Sequence, residues 1–253
     1  KVFMKNKLPV LILFSVFLFS PMAALAGGLP DYSGNSNLIS SMLEQNISIE
    51  TIYLILAIPV IATIIAFARQ IVGFTALGVY IPVLVAAAFM IIGVEYGAAL
   101  FVFVGIIGSI GRLIARKIRL AYLPRMAIVV SLVSFAIFGF YYFSARFDYF
   151  FAGSLDVFPI LVMGLLTEKF ISVQVEQGNK RALALFLETL FLAIVCIFLV
   201  NWGVVRNFIL NYPYSVLGIL VINFIIGKWT GLRLFEFYRF RKVIKHVELA
   251  EKK

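Results

Sequence analysis

The chain has 253 residues, of which 63% are hydrophobic and only 13% charged, with a mean hydropathy of +1.06. Soluble domains run at about 45–50% apolar and about 25% charged residues, so a soluble globular enzyme, a disordered chain and a disulfide scaffold are all excluded. A net charge of +10 draws attention to nucleic acid, but the basic residues sit beside apolar runs. One cysteine, Cys196, and one histidine, His246, rule out a thiolate metal site, a His triad and a His-cluster zinc site by count.

The first thirty residues read as an export signal. Lys1, Lys5 and Lys7 precede an apolar run over residues 8–19, followed by Pro21, Ala23-Ala24-Leu25-Ala26 and Gly27-Gly28. A basic start, an apolar centre and an Ala-x-Ala site describe a signal peptide over residues 1–26, with Met4 a candidate start. The alternative is an uncleaved first helix. Residues 27–49 are rich in Gly, Asn and Ser and are expected to form an exported linker.

About 20 apolar residues cross the hydrocarbon core of a bilayer. Seven such runs follow, over residues 50–68, 71–92, 96–114, 126–143, 150–170, 182–200 and 209–229. The predicted fold is therefore an all-α membrane protein: a seven-helix transmembrane bundle over residues 50–229, with a basic cytoplasmic tail over 230–253. The connections are short, so the helices are neighbours in one bundle. With the first span entering from outside, seventeen of the 22 Lys and Arg fall inside, two (Arg146 and Arg206) fall outside, and three precede the first apolar run. That asymmetry places the N-terminus outside and the C-terminus in the cytoplasm.

Two pairs of proline words suggest an internal repeat. Tyr80-Ile81-Pro82-Val83-Leu84-Val85 resembles Val157-Phe158-Pro159-Ile160-Leu161-Val162, and Leu123-Pro124-Arg125-Met126 matches Tyr212-Pro213-Tyr214-Ser215. These words relate spans 2–4 to spans 5–7 with opposite direction, an inverted 3+3 repeat of the kind that builds sites from broken helices in transporters. Chance recurrence of short apolar words is the other reading.

Ionisable residues within or beside spans are costly and often functional. Glu95 reads as an outer-boundary residue, and Asp156 as a helix cap ahead of Pro159. Glu168, followed at once by Lys169, shares a helical face with Glu176 eight residues on. With Arg69 and Gln70 they are expected to form a polar cluster at the inner mouth, either binding a cation or amine or simply pairing with inside arginines. Glu188, beside Thr189, lies deeper in the sixth span and requires a partner there, whether functional or structural. Gly105, Gly108, Ser109 and Gly111 read as a close-packing surface. They are no phosphate loop, since no strand precedes and no Gly-Lys-Ser/Thr follows. No residue is assigned to a cofactor, a metal or a catalytic role, and the words of known intramembrane proteases are missing. In the tail, Arg233, Arg239, Arg241 and Lys242 interleave with Leu234, Phe235, Phe237 and Tyr238. That pattern suits the anionic inner leaflet or a docked partner better than nucleic acid.

Three words together carry a family resemblance: Ala68-Arg69-Gln70-Ile71-Val72-Gly73, Gly78-Val79-Tyr80-Ile81-Pro82-Val83-Leu84, and Thr230-Gly231-Leu232-Arg233-Leu234-Phe235-Glu236 with Arg239-Phe240-Arg241. They resemble the bacterial seven-transmembrane-helix module usually fused to, or encoded with, an inactive transglutaminase-like domain, over roughly residues 50–243. The Pro82 and Pro159 words, Arg125-Met126 and Glu176-Gln177-Gly178 are also distantly similar to the small membrane subunit of poly-γ-glutamate synthase. The resemblance implies an ATP-grasp amide ligase as partner and a glutamate-rich peptide as cargo. It marks Arg69, Gln70, Pro82, Glu168, Glu176, Arg233, Glu236 and Arg239 as motif positions without a catalytic role. The short exported segment leaves no room for a transglutaminase-like domain, which is expected on a separate chain if present. The function expected is a non-catalytic membrane subunit that holds the ligase at its basic inner face and passes an acidic peptide outward. An autonomous secondary transporter using Glu168 or Glu188, and a membrane sensor or scaffold for an exported partner, are the alternatives.

Overall fold

The computed structural model describes residues 37–117, 121–146 and 157–228. The expected signal peptide, the tail with Arg233, Glu236 and Arg239, and the cap Asp156 lie outside the described residues. All regular structure among the described residues is helical. Helix α1, Asn37–Glu44, falls inside the stretch expected to be linker, so that stretch carries structure of its own.

Helix α2, Ile49–Phe67, starts where the sequence supplies a cap. Ser48 is extended, and its Oγ accepts from the Thr51 N–H at 3.3 Å, satisfying one of the orphan donors of the first turn. Pro59 sits inside the helix, and the Thr63 hydroxyl donates to the Pro59 carbonyl at 2.9 Å. At its end α2 widens into a π-turn, Ala68–Val72. Gly73 closes this turn at φ +106°, a left-handed conformation that favours glycine, and its N–H bonds the Ala68 carbonyl.

The segment expected to continue as a span over 71–92 does not. Helix α3 begins only at Tyr80 and ends at Ile92, thirteen residues or about 20 Å of rise. Between the π-turn and α3 the chain is irregular, with Ala76 at φ +41° and Gly78 at φ +103°. Pro82 takes the third position of α3, where its missing N–H costs nothing. The four long helices that follow are α4, Val94–Lys117; α5, Tyr122–Arg146; α6, Val157–Gln177; and α7, Asn179–Val200. Helix α6 runs on to Gln177, seven residues past the end of the expected span over 150–170, which places Glu168 well inside the helix. The last expected span, 209–229, is two helices: α8, Gly203–Asn211, and α9, Ser215–Gly227, bent by 111°.

The chain divides into two compact units, one of residues 1–75 and 199–253, the other of residues 76–198. In the first, α2 packs against α8 and α9. Ile71 of the π-turn is buried with Ile222 and Ile226 of α9, flanked by Phe67 and Ile225. In the second, α4 packs against α3, α5 and α6. Its centre is a chain of rings: Phe89 meets Phe101 edge-on at 6.2 Å, and Phe186 lies 4.2 Å from Phe101 and 4.6 Å from Phe170. Gly105 makes this packing feasible, because a Cβ there would stand 2.4 Å from the Phe186 ring. The glycine surface of the fourth helix is thus a packing surface.

Candidate functional site

The most unusual feature of the second unit is irregular backbone held halfway along a long apolar helix. Ala76 and Leu77 are buried, at 5% and 1% exposure, so their N–H groups cannot turn to solvent. In a lipid setting an unsatisfied backbone donor costs several kcal/mol. Both donors are met by adjacent residues of α7. The Ala76 N–H donates to Glu188 Oε2 at 2.9 Å, and the Leu77 N–H donates to Thr189 Oγ1 at 3.0 Å. Thr189 in turn donates its hydroxyl to the Leu185 carbonyl at 2.7 Å, which fixes the oxygen lone pairs towards Leu77. Glu188 lies nine residues into the 22 of α7, about 14 Å from its start. The clamp therefore sits near mid-helix. It holds Ala76 in a left-handed conformation that an alanine adopts only against resistance.

A second polar group in the same unit ties α4, α6 and α7 together. Arg112 Nη1 donates to Gln174 Oε1 at 3.3 Å and also to Asn179 Oδ1. The Gln174 amide donates to Ser109 Oγ at 3.0 Å, and Ser109 donates to the Gly105 carbonyl. Gln174 is 5% exposed, so this amide is satisfied by protein groups. A guanidinium held by amide oxygens presents a rigid donor fork.

The first unit carries two polar contacts of its own. Asn223 of α9 donates from Nδ2 to Thr63 Oγ1 of α2 at 2.9 Å. Tyr53 donates its hydroxyl to the Val200 carbonyl at 2.7 Å, and the Arg206 guanidinium lies over the Tyr53 ring at 5.1 Å. Arg69 and Gln70 are half-buried in the π-turn.

The structure thus sorts the residues singled out from sequence. Glu188 gains a partner of the kind it required, and one such partner is the Ala76 backbone N–H. Pro82 is buried in the first turn of α3. Glu95 is exposed in the first turn of α4. Glu168 and Glu176 are both exposed on α6, about 12 Å apart along its axis. Glu176 accepts from the Ser172 hydroxyl at 2.8 Å. Arg69 and Gln70 belong to the other unit. Sequence reasoning missed Ala76, Leu77, Gln174, Asn179, Thr63 and Asn223. Of these, Gln174 alone left a signal, a polar residue at helical spacing among the apolar Phe170, Ile171 and Val173.

A sequence profile of the family described as seven transmembrane helices usually fused to an inactive transglutaminase matches residues 27–244. No curated protein and no solved structure matches the chain.

Proposed function

We propose that this chain, which belongs to the family of seven transmembrane helices usually fused to an inactive transglutaminase, is a non-catalytic multi-pass subunit of a bacterial inner membrane. Five of its helices are long and apolar enough to cross a bilayer. The bent pair α8–α9 supplies a sixth crossing. Helix α3, at about 20 Å too short for a 30 Å core by itself, is read together with the irregular segment 73–79 before it as the seventh. The strong bias of basic residues to the inner side, which persists with Lys169 of α6 left out, supports an exported N-terminus and a cytoplasmic C-terminus.

In this reading the basic inner face holds an ATP-grasp amide ligase, an exported transglutaminase-like protein acts outside, and a glutamate-rich peptide passes between them. The clamp of Glu188 and Thr189 carries it. Irregular backbone at membrane depth is tolerated where it is buried in protein or lines a path, and here the deep carboxylate is used to hold that backbone. The inside arginines attract an anionic chain. The test is co-purification: tag the C-terminus, extract gently and identify bound proteins by mass spectrometry. An ATP-grasp ligase and ATP-dependent amide formation in the eluate support the reading. A solitary protein overturns it.

One observation favours a second reading, an autonomous secondary transporter. A carboxylate at a helix break is the arrangement transporters use for coupling ions, and Glu188 stands at such a break. Uptake by the purified chain in liposomes, abolished by Glu188→Gln, would support that reading over the first.

A further inference from the structure

Helix α6 carries a charge pattern that lipid does not suit. Its exposed stripe runs Leu161, Leu165, Glu168, Lys169 and Glu176, with Leu161 60% and Leu165 48% exposed and the half-buried Ser172 among them. Glu168 and Lys169 are both exposed and lie deep. Thr167 abuts Gly108 of α4, where a Cβ would stand 3.2 Å from its methyl group. Gly108 is seven residues before the end of the apolar span Val94–Ala115, about 10 Å along the axis. Counted on α6 itself, Glu168 is nine residues from Gln177, about 14 Å. Two exposed charges at that depth are expensive against hydrocarbon, and such groups normally face protein or water.

The placement around the helix says what covers them. At about 100° per residue, Leu161, Leu165 and Ser172 fall within about 40° of one another, with Glu168 about 40° to one side of their centre and Lys169 about 60° to the other, at nearly the same height. Two copies in one membrane share their orientation, so they relate by a two-fold axis along the membrane normal. That axis brings the left flank of one seam opposite the right flank of the other. Glu168 of each copy then meets Lys169 of its mate at one level, and the pattern is self-complementary as an isologous interface requires. We propose that α6 is the interface of a parallel homodimer, sealed by two reciprocal Glu168–Lys169 pairs around a Leu161–Leu165–Ser172 seam.

The test is disulfide trapping in native membranes, using the full chain with Cys196→Ala to remove its buried thiol. Leu165→Cys and Ser172→Cys are oxidised with copper phenanthroline, with Phe135→Cys on α5, 77% exposed, as the control. A dimer band from Leu165→Cys and Ser172→Cys well above that control is expected. Glu168→Lys alone and Lys169→Glu alone each reduce the band, by roughly fivefold for a partly desolvated pair, and the double exchange restores it. Glu168→Gln, which keeps the side-chain size, reduces the band while leaving the membrane level of the protein unchanged. The proposal is overturned if trapping does not exceed the Phe135→Cys control. It is also overturned if the double exchange traps no better than the singles, or if the thiol captures a different protein.

Discussion

The chain interrupts an apolar run twice, once before α3 and once between α8 and α9, and the two breaks are held in different ways. Between α8 and α9 the repair is local. The Ser215 N–H bonds the Tyr212 carbonyl at 2.9 Å, the Leu217 N–H bonds the Tyr214 carbonyl at 3.0 Å, and Pro213 has no N–H to satisfy. Before α3 the repair comes from 112 residues away, through Glu188 and Thr189. A local turn holds its shape whatever the neighbouring helices do. A break held by another helix keeps its shape only while that helix stays in register, so its geometry and the packing of α7 are one property.

The most damaging way to break this contrast is Glu188→Ala. It strands the buried Ala76 N–H and removes a charged acceptor, for an expected loss of about 2–3 kcal/mol, read as a fall in the melting temperature of the detergent-extracted protein. Hydrogen exchange should quicken at Ala76 and Leu77 and stay unchanged at Ser215–Leu217. Equal quickening at both breaks would show that the two share one cooperative unit and that the clamp is not a separate device. Glu188→Gln keeps an acceptor and should lose roughly half as much.

Thr189→Val tests the other half of the clamp. It removes the acceptor for the Leu77 N–H and leaves the side-chain volume nearly unchanged, at an expected cost of about 1–2 kcal/mol. Thr189→Ser restores the hydroxyl and should recover most of that stability. If valine were neutral, the Leu77 bond would contribute nothing and Glu188 alone would hold the segment.

Ala76→Gly should act with the opposite sign. Ala76 sits at φ +41°, where a Cβ is disfavoured and glycine is not. Relief of that strain is partly offset by the greater freedom of an unfolded glycine. The net expectation is a stabilisation of about 0.5 kcal/mol, seen as a small rise in melting temperature. A loss instead would mean that the alanine methyl contributes packing worth more than the strain.

These same residues mark where sequence reasoning reached and where it stopped. Hydropathic length located α2, α4, α5 and α7 to within a few residues, because crossing a bilayer is a property of summed side chains. The run over 71–92 is equally apolar, yet it contains the break, because hydropathy does not register which backbone donors lack a helical partner. Gly73 and Gly78 mark permission for a left-handed turn but do not demand one. Glu188 stood out as a deep carboxylate that needed a partner. One partner is the amide of Ala76, and a backbone group leaves no trace in residue identity. Arg112 was visible only as one more inside charge, since its role depends on the side of α6 that Gln174 faces. Glu168 lay near the end of the apolar run over 150–170, yet α6 continues to Gln177, because hydropathy marks where a run of apolar side chains stops and not where the helix does.

The smallest expected effect sharpens the contrast from the other side. Asn223 lies within α9, after the local turn, and its amide donates to Thr63 of α2, whose own hydroxyl already bonds the Pro59 carbonyl. The hydroxyl therefore keeps a partner when Asn223 is removed, unlike the Ala76 N–H when Glu188 is removed. Interhelical side-chain hydrogen bonds of this kind in membranes are worth about 0.6 kcal/mol on average, so Asn223→Ala should lower stability by about that amount. The bend should persist, because it is built from the backbone bonds of residues 212–217 and owes nothing to the amide. A spin-label or cysteine-pair distance across α8 and α9 would check this, and it should match the wild-type distance. A changed distance would mean that this break too is set by a neighbouring helix, and the difference between the two would disappear.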